Sequence, residues 1–534
     1  MTRWGMVADL ERCVGCQTCT AACKHTNATS PAVQWRKVLD LEVGRYPDVK
    51  RVFVPVGCMH CEDPPCMHVC PSTATRQRAD RIVTIDYDLC IGCAYCAVAC
   101  PYQARFKIDG PTFAYGGAGQ MKNEARREDP ARLGVAQKCT FCSDRVDYGL
   151  QNGLTPGIDP QATPACVNSC IADALHFGDL ENPNSNVAKL LGSHQTFRMH
   201  EELATNPGFH YIWKRKENAA QDDDEDIPPI TSVGTGDVGS AAPWLQQHWD
   251  WRAAGNFIGG GTGSGLVVAM AGLAVITPMP FFLVLLGLAC IGAGLFLVWL
   301  ETGRPFRAPL NVFFNPHTSW MSRESMVASV LFPVALAAIW FGGLSLLLAA
   351  GLLAMTFLYC QARLVQACKG IPAWRQPQII NLLLTTGLCE GLGLLIFSII
   401  AFGMIVAPST LAGLTSALVM LLALRALSWR FYRDAISLDA PVETVRVLGW
   451  VNAPFVLLGH LLPIVLVASG YLFTDMFPLV GGASGIIALA AGWFFKYQLI
   501  TKASYNQGYA IHRVPERGTG GGGPGGKPGW SKVA

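Results

Sequence analysis

The chain has 534 residues, is 51% hydrophobic and only 15% charged, and carries a formal net charge of +3. Average soluble domains are about 25% charged, so a wholly soluble protein is excluded. The small net charge also excludes a nucleic-acid binder driven by global charge, and no nucleic-acid partner is expected. The averages conceal two unlike halves. Residues 1–255 hold 25 of the 41 Lys and Arg, whereas residues 256–510 are a series of long apolar runs. Sixteen of the 20 cysteines lie between Cys13 and Cys170, and Cys290, Cys360, Cys368 and Cys389 are scattered through the apolar half.

So many cysteines mean disulfides or metal. Disulfide scaffolds are small secreted domains. The first ten residues have no apolar h-region and no twin-arginine pattern, so a secretory signal is not expected. Spacing favours metal. The groups are Cys13-x2-Cys16-x2-Cys19-x3-Cys23, Cys58-x2-Cys61-x4-Cys66-x3-Cys70, Cys90-x2-Cys93-x2-Cys96-x3-Cys100, and Cys139-x2-Cys142-x23-Cys166-x3-Cys170. The run C-x2-C-x2-C-x3-C-P is the bacterial ferredoxin signature for [4Fe–4S] clusters. Three closely spaced thiolates hold three corners of a cubane, and the fourth cysteine serves the other cluster of a pair. Zinc explains a single C-x2-C pair but not this repeated third and fourth cysteine. Sixteen ligands therefore serve four clusters. His25, His60 and His68 beside the ligands read as solvent-facing or cluster-shielding residues. No C-x2-C-H occurs, which excludes covalent haem.

The four-group order resembles the electron-transfer subunits of the DMSO reductase family of molybdenum enzymes. Cys58-Met-His-Cys61-Glu-Asp-Pro-Pro-Cys66, Cys90-Ile-Gly-Cys93-Ala-Tyr-Cys96 and Cys139-Thr-Phe-Cys142-Ser-Asp-Arg145 carry the resemblance. It implies that outer groups pair and inner groups pair. One cluster would take Cys13, Cys16, Cys19 and Cys170, and its partner Cys139, Cys142, Cys166 and Cys23. The inner pair would take Cys58, Cys61, Cys66 and Cys100, and Cys90, Cys93, Cys96 and Cys70. Ile171 departs from the Pro that follows the last Cys in many such groups.

Residues 217–255, with Asp222-Asp-Asp-Glu-Asp226 and Pro228-Pro229, read as an acidic linker. Beyond them, eight segments are long enough to cross a bilayer, near 256–277, 281–300, 324–341, 343–362, 379–406, 409–428, 447–471 and 476–495. The loops after even-numbered spans, with the C-terminal side, hold 16 Lys and Arg, and the alternate loops hold none. By the positive-inside rule the rich side, with both termini and the cysteine domain, faces the cytoplasm. The Gly-rich residues 511–534 read as a disordered tail.

Ionisable residues at membrane depth are costly and mark function. Glu301 ends the second span, Glu324 opens the third, Glu390 sits midway along the fifth and His460 midway along the seventh. A lone intramembrane His argues against a b-type haem, which takes two axial ligands. The stretch Leu300-Glu-Thr-Gly-Arg-Pro-Phe-Arg307, with Asn311 following, resembles the eight-span, haem-free anchor subunits of the same family. Where that anchor carries a His important for menaquinol, this chain has Glu301, a carboxylate that can hydrogen-bond a quinone oxygen and relay a proton. The quinone candidates are Glu301, Arg304, Arg307, Asn311, Glu390 and His460.

The expected architecture is an α+β ferredoxin-like domain with paired [4Fe–4S] repeats (1–216), a linker (217–255), an all-α eight-helix transmembrane bundle (256–510) and a tail (511–534). The resemblance implies a fused electron-transfer and anchor subunit of the inner membrane. It would link a partner subunit's molybdenum bis-pterin cofactor to the quinone pool through four clusters. A cytoplasmic face favours sulfite oxidation to sulfate, because the family contains a sulfite-oxidising enzyme of that orientation. The alternative is quinol-dependent reduction of DMSO, another sulfur compound or an N-oxide. Two other classes are a ferredoxin-fed ion-translocating module without molybdenum and an anchor whose clusters only stabilise the fold.

Overall fold

A computed structural model describes residues 2–45, 48–115, 119–215, 240–277, 282–515 and 523–530. Most of the expected linker, 216–239, lies outside the described residues. The chain divides into two units, Met1–Trp244 with Asn506–Trp530, and Leu245–Tyr505 with Ser531–Ala534.

The first unit is α+β and of the 4Fe-4S ferredoxin type. Its elements are β1 (Trp4–Asp9), α1 (Thr18–Asn27), the hairpin β2 (Arg36–Arg45) and β3 (Asp48–Gly57), α2 (Ser143–Gln151), β4 (Leu175–Asp179), α3 (Asn186–Ser193), β5 (His194–Phe197) and β6 (Phe209–Arg215). One sheet runs β4-β1-β6-β5, with β1 parallel to β6 and antiparallel to β4. All six residues of β1 are buried. Their side chains alternate between faces. Met6 and Ala8 enter the main core, while Val7 packs with Ile212 of β6 and Val187 of α3. A strand covered on both faces reads as continuous rather than alternating hydrophobicity.

Two cysteine loops fold alike. Gly15 and Gly92 take φ of 69° and 73°, and Gln17 and Ala94 follow at 60° and 57°. Each turn leads directly into a helix, α1 in the first case and Tyr95–Val98 in the second. Gly15 is needed twice over, because a Cβ there would also lie 2.3 Å from the Phe53 ring.

Among the described residues, the second unit is a bundle of eight long helices: α4 (Trp251–Leu273), α5 (Phe282–Glu301), α6 (Trp320–Phe341), α7 (Leu344–Gln366), α8 (Gln378–Ala401), α9 (Pro408–Leu438), α10 (Val442–Leu472) and α11 (Phe477–Thr501). Seven are long and apolar enough to cross a membrane. The eighth, α4, falls short because glycine, serine and threonine fill its middle. Those small residues let neighbours approach closely. A Cβ at Gly265 would lie 2.0 Å from the Gly387 carbonyl oxygen, and one at Gly259 2.5 Å from that of Cys290.

Three sequence expectations need correction. The linker does not reach residue 255, because Asp250 caps α4 by accepting from the Arg252 N–H, and the helix starts at Trp251. Helix α9 runs past the expected end at 428 as far as Leu438, and α11 runs past 495 as far as Thr501. The tail is not wholly irregular. Strand β7 (Ile511–Val514) pairs antiparallel with β8 (Gly523–Gly526), and Ile511 and Val514 are buried.

Candidate functional site

None of the 20 cysteines forms a disulfide. Among the described residues, no three His, Cys, Asp or Glu side chains close around a point that one metal ion could fill. Thiols serving a cubane stand wider than that, since each binds a different iron. The structure brings the sixteen together in groups. Cys19 interacts electrostatically with Cys13 and Cys170, with Cys16 on the same loop. Cys23 faces Cys139, Cys142 and Cys166. Cys61 faces Cys58, Cys66 and Cys100, and Cys93 faces Cys70, Cys90 and Cys96.

Neighbouring groups are close enough to act on one another electrostatically. Cys166 interacts with Cys19, Cys139 with Cys58, and Cys66 with Cys96. The four groups thus form a line, starting from the Cys13 group and running through the Cys139 and Cys58 groups to the Cys90 group. Burial pushes the thiols up, Cys139 and Cys166 to about 11 and Cys100 to about 12. Neutral thiols are what such burial favours, and a bound metal reverses this by taking the thiolate. Buried cations oppose the effect of burial. Arg36 lowers Cys139 and Cys166, and Arg105 lowers Cys66 and Cys96. Carboxylate-free thiol sets accompanied by buried cations fit iron–sulfur clusters, which are anionic when ligated by four thiolates.

The three histidines separate. His25 is exposed against Arg127, and His68 pairs with Asp63 near the surface. His60 is buried and stacked on Phe141 with 3.7 Å between ring centroids. Its Nδ1 accepts from the Val83 N–H at 3.0 Å, so its proton sits on Nε2.

In the bundle, the six quinone candidates occupy separate places. Glu301 is buried at the end of α5 and accepts from the Asp250 N–H at 3.1 Å. Arg304, Arg307 and Asn311 are half-buried in the α5–α6 connection. Glu390 lies in the middle of α8 and is fully buried. Its Oε2 accepts from Lys496 Nζ of α11 at 2.7 Å and from Thr262 Oγ1 of α4 at 2.9 Å. Trp493 Nε1 donates to Thr262 Oγ1 at 2.8 Å. Two glycines make room for the pair. A Cβ at Gly261 would lie 2.1 Å from Lys496 Nζ, and one at Gly492 2.4 Å from Glu390 Oε1.

His460 sits in a π turn, Leu457–Leu461, within α10. Arg425 of α9 donates from Nε to His460 Nε2 at 3.1 Å and from Nη2 to the Gly459 carbonyl at 2.6 Å. That carbonyl is available because Pro463, four residues on, has no N–H to offer it. His460 Nδ1 faces the Phe455 carbonyl at 2.8 Å, so both ring nitrogens are engaged. Glu324 is buried where α6 meets α7 and α4, and its Oε1 has no protein partner. An apolar cleft of about 470 Å³ between α4, α8 and α9 is lined by none of the six candidates.

Sequence reasoning missed two groups of functional side chains. It counted Arg425 and Lys496 as loop charges, although both are buried within helices. The apolar residues on both sides of Arg425 were the available signal. It gave no role to Arg36, Arg105 or Lys138, whose burial leaves no mark in the local sequence.

Residues 49–112 match the 4Fe-4S dicluster domain family. The chain is 37% identical over 262 residues to the iron–sulfur subunit of a putative dimethyl sulfoxide reductase of Halobacterium salinarum, covering 45% of this chain and 93% of that one. It is 39% identical over 226 residues to a selenate reductase subunit of Mesobacillus selenatarsenatis, covering 39% and 72%. It is 33% identical over 241 residues to a sulfite dehydrogenase subunit of Allochromatium vinosum, covering 42% and 89%. The substrates in these names differ while the cysteine-bearing chain stays similar.

Proposed function

The chain belongs to the iron–sulfur electron-transfer subunits of the DMSO reductase family, and on that premise we propose that it wires a molybdopterin catalytic subunit to membrane quinone. The observation that carries this reading is the succession of four thiol groups, each acting electrostatically on the next. Each group would hold one [4Fe–4S] cluster, which takes up and passes on a single electron. The chain's own residues set spacing, burial and local charge. The Cys13 group is the partner-facing end, since Cys16 is exposed and Val14 and Ile171 beside it are 55% and 75% exposed. Exposed apolar side chains next to a buried path suit a protein contact.

The bundle is the quinone-facing half. Glu301, Arg304, Arg307 and Asn311 at the end of α5 are the contacts proposed for the quinone head group. His460 has both ring nitrogens engaged and serves better as a buried support than as a quinone ligand, whereas Glu390 is held through Oε2 alone and its Oε1 is buried with no protein partner. Two of the sixteen cations counted for orientation, Arg425 and Lys496, are buried. The remaining fourteen still lie on one side, with none in the alternate loops. This supports a cytoplasmic face for the cysteine unit.

The physiological reaction proposed is sulfite oxidation, with electrons running from molybdenum to quinone. The sulfite dehydrogenase relative and the charge distribution support it. Quinol-dependent sulfoxide reduction is the second reading, favoured by the likeness to the sulfoxide reductase chain. Sulfite-dependent quinone reduction by the purified complex tests the first. Silence with sulfite, together with DMSO-dependent quinol oxidation, establishes the second instead. Alkaline phosphatase fused after Ala534 tests orientation, and activity there removes the cytoplasmic assignment.

A further inference from the structure

We infer that Arg36, Lys138 and Arg105 are built-in counter-charges of the electron path, one at each junction between neighbouring thiol groups. The inference rests on the four-cluster reading above. Each side chain is at most 4% exposed. None of the three forms an ion pair with a carboxylate among the described residues, although isolated charges are expensive to bury. Their negative partners are therefore the thiolate groups and whatever those groups hold.

The placement is regular along the line. Arg36 interacts with Cys19 of the first group and with Cys23, Cys139 and Cys166 of the second. Its guanidinium lies 4.9 Å above the Phe209 ring, and Nη2 is 3.2 Å from Met6 Sδ. Its Nε and Nη1 are buried with no partner from the protein, which leaves two donors for the groups on either side. Lys138 adjoins Cys139 of the second group. It donates to the Cys139 carbonyl at 2.7 Å and to the Val83 carbonyl, and it acts on Cys66 of the third. Arg105 donates from Nη2 to Cys66 Sγ of the third group at 2.9 Å and from Nη1 to Thr75 Oγ1 at 3.0 Å. It also acts on Cys96 of the fourth group.

An electron arriving on the path adds negative charge in a low-dielectric interior, where a nearby cation is worth more than in water. A cation at a junction favours the reduced state on both sides of it. The two inner groups have a cation at each of their two junctions and the end groups at only one, so the inner pair is the more strongly favoured for reduction.

The test is an EPR-monitored redox titration of the whole purified complex, with iron and acid-labile sulfide measured on the same samples. Arg36→Gln, Lys138→Gln and Arg105→Gln should each lower the reduced-to-oxidised ratio of the two flanking clusters by about tenfold, about 59 mV for a one-electron couple. The clusters that do not flank the altered residue should keep their potentials. Arg36→Lys and Arg105→Lys keep the charge and should restore most of the shift. Met6→Glu and Thr75→Glu leave each arginine in place but give it a carboxylate partner, and should reproduce the Gln shift. They replace the Gln variants if those do not assemble. Unchanged potentials with four clusters retained would overturn the inference. So would Lys variants that shift as far as the Gln variants. A wild-type complex holding fewer than four clusters would instead overturn the reading on which the inference rests.

Discussion

Both units bury cations, but they neutralise them differently. In the bundle, Lys496 meets the Glu390 carboxylate, and Arg425 meets His460 and the carbonyls of Gly459 and Ala488. These two bundle cations are thus satisfied by the chain itself. In the cysteine unit, Arg36 and Arg105 face thiols, and Arg36 keeps two donors unused. That unit is electrostatically complete only with something anionic bound between its cysteines. The bundle should therefore fold independently of iron, and the cysteine unit should not.

Removing iron is the strongest way to break this contrast. Chelation should unfold the cysteine unit while leaving the bundle helical, because metal-binding energy is folding energy where the site requires thiolates. Limited proteolysis with circular dichroism checks it, and equal protection of both units without iron would erase the distinction. Next in size is Lys496→Met. It leaves Glu390 buried and unpaired, which should cost about 3–5 kcal/mol, read as lost thermal stability in detergent. Adding Glu390→Leu should recover most of that loss. Arg425→Met should cost less, about 1–3 kcal/mol, because it strands the Gly459 carbonyl and leaves His460 without its donor. Its effect should be independent of the cluster signals.

The smallest expected effect lies in the cysteine unit, at Glu202. Burial pushes its carboxyl up, but hydrogen bonds from His200 and Lys527 outweigh this and hold it below the usual carboxylate range. A group with a depressed folded-state value stabilises at neutral pH and loses that contribution as the pH falls through the carboxylate range. Glu202→Gln should flatten the acid limb of the unit's stability curve, with a change of only about 0–1 kcal/mol at neutral pH because the pair is partly exposed. An unchanged acid limb would remove the pair from the account.

The chemistry of the cysteine unit was legible because ligand spacing is a local property. Cys13, Cys16 and Cys19 are separated by two residues each, and the fold of their loop follows from that and from Gly15. Seven of the eight expected spans were legible from hydropathy, whereas α4 is a long helix whose small residues leave it short of the apolarity of a span. The junction cations were not legible. Nothing local distinguishes Arg36 from a surface arginine on a strand, and burial comes from contacts far along the chain. Arg425 and Lys496 were misread for a related reason. A charge near the end of an apolar run looks like a loop charge until the helix is seen to continue past it. The ordered part of the tail was hidden by its glycines, which favour disorder by composition but also permit close strand pairing.

The return of the tail has a consequence for how the polypeptide can be cut. Asn506 donates its N–H to the Trp244 carbonyl at 3.0 Å, and Tyr509 donates to that of Ala241 at 3.0 Å. Gln507 Nε2 donates to the Pro101 carbonyl at 3.1 Å, and Lys527 bonds Glu202. The bundle is therefore an insertion in the cysteine unit, entered near residue 245 and left near residue 505. A single nick between 216 and 239 would sever the only covalent link in the forward direction. It would still leave the stretches on either side of the bundle clasped to the N-terminal portion. A fused chain of this kind keeps its two halves together after proteolytic damage that would release an ordinary tethered domain.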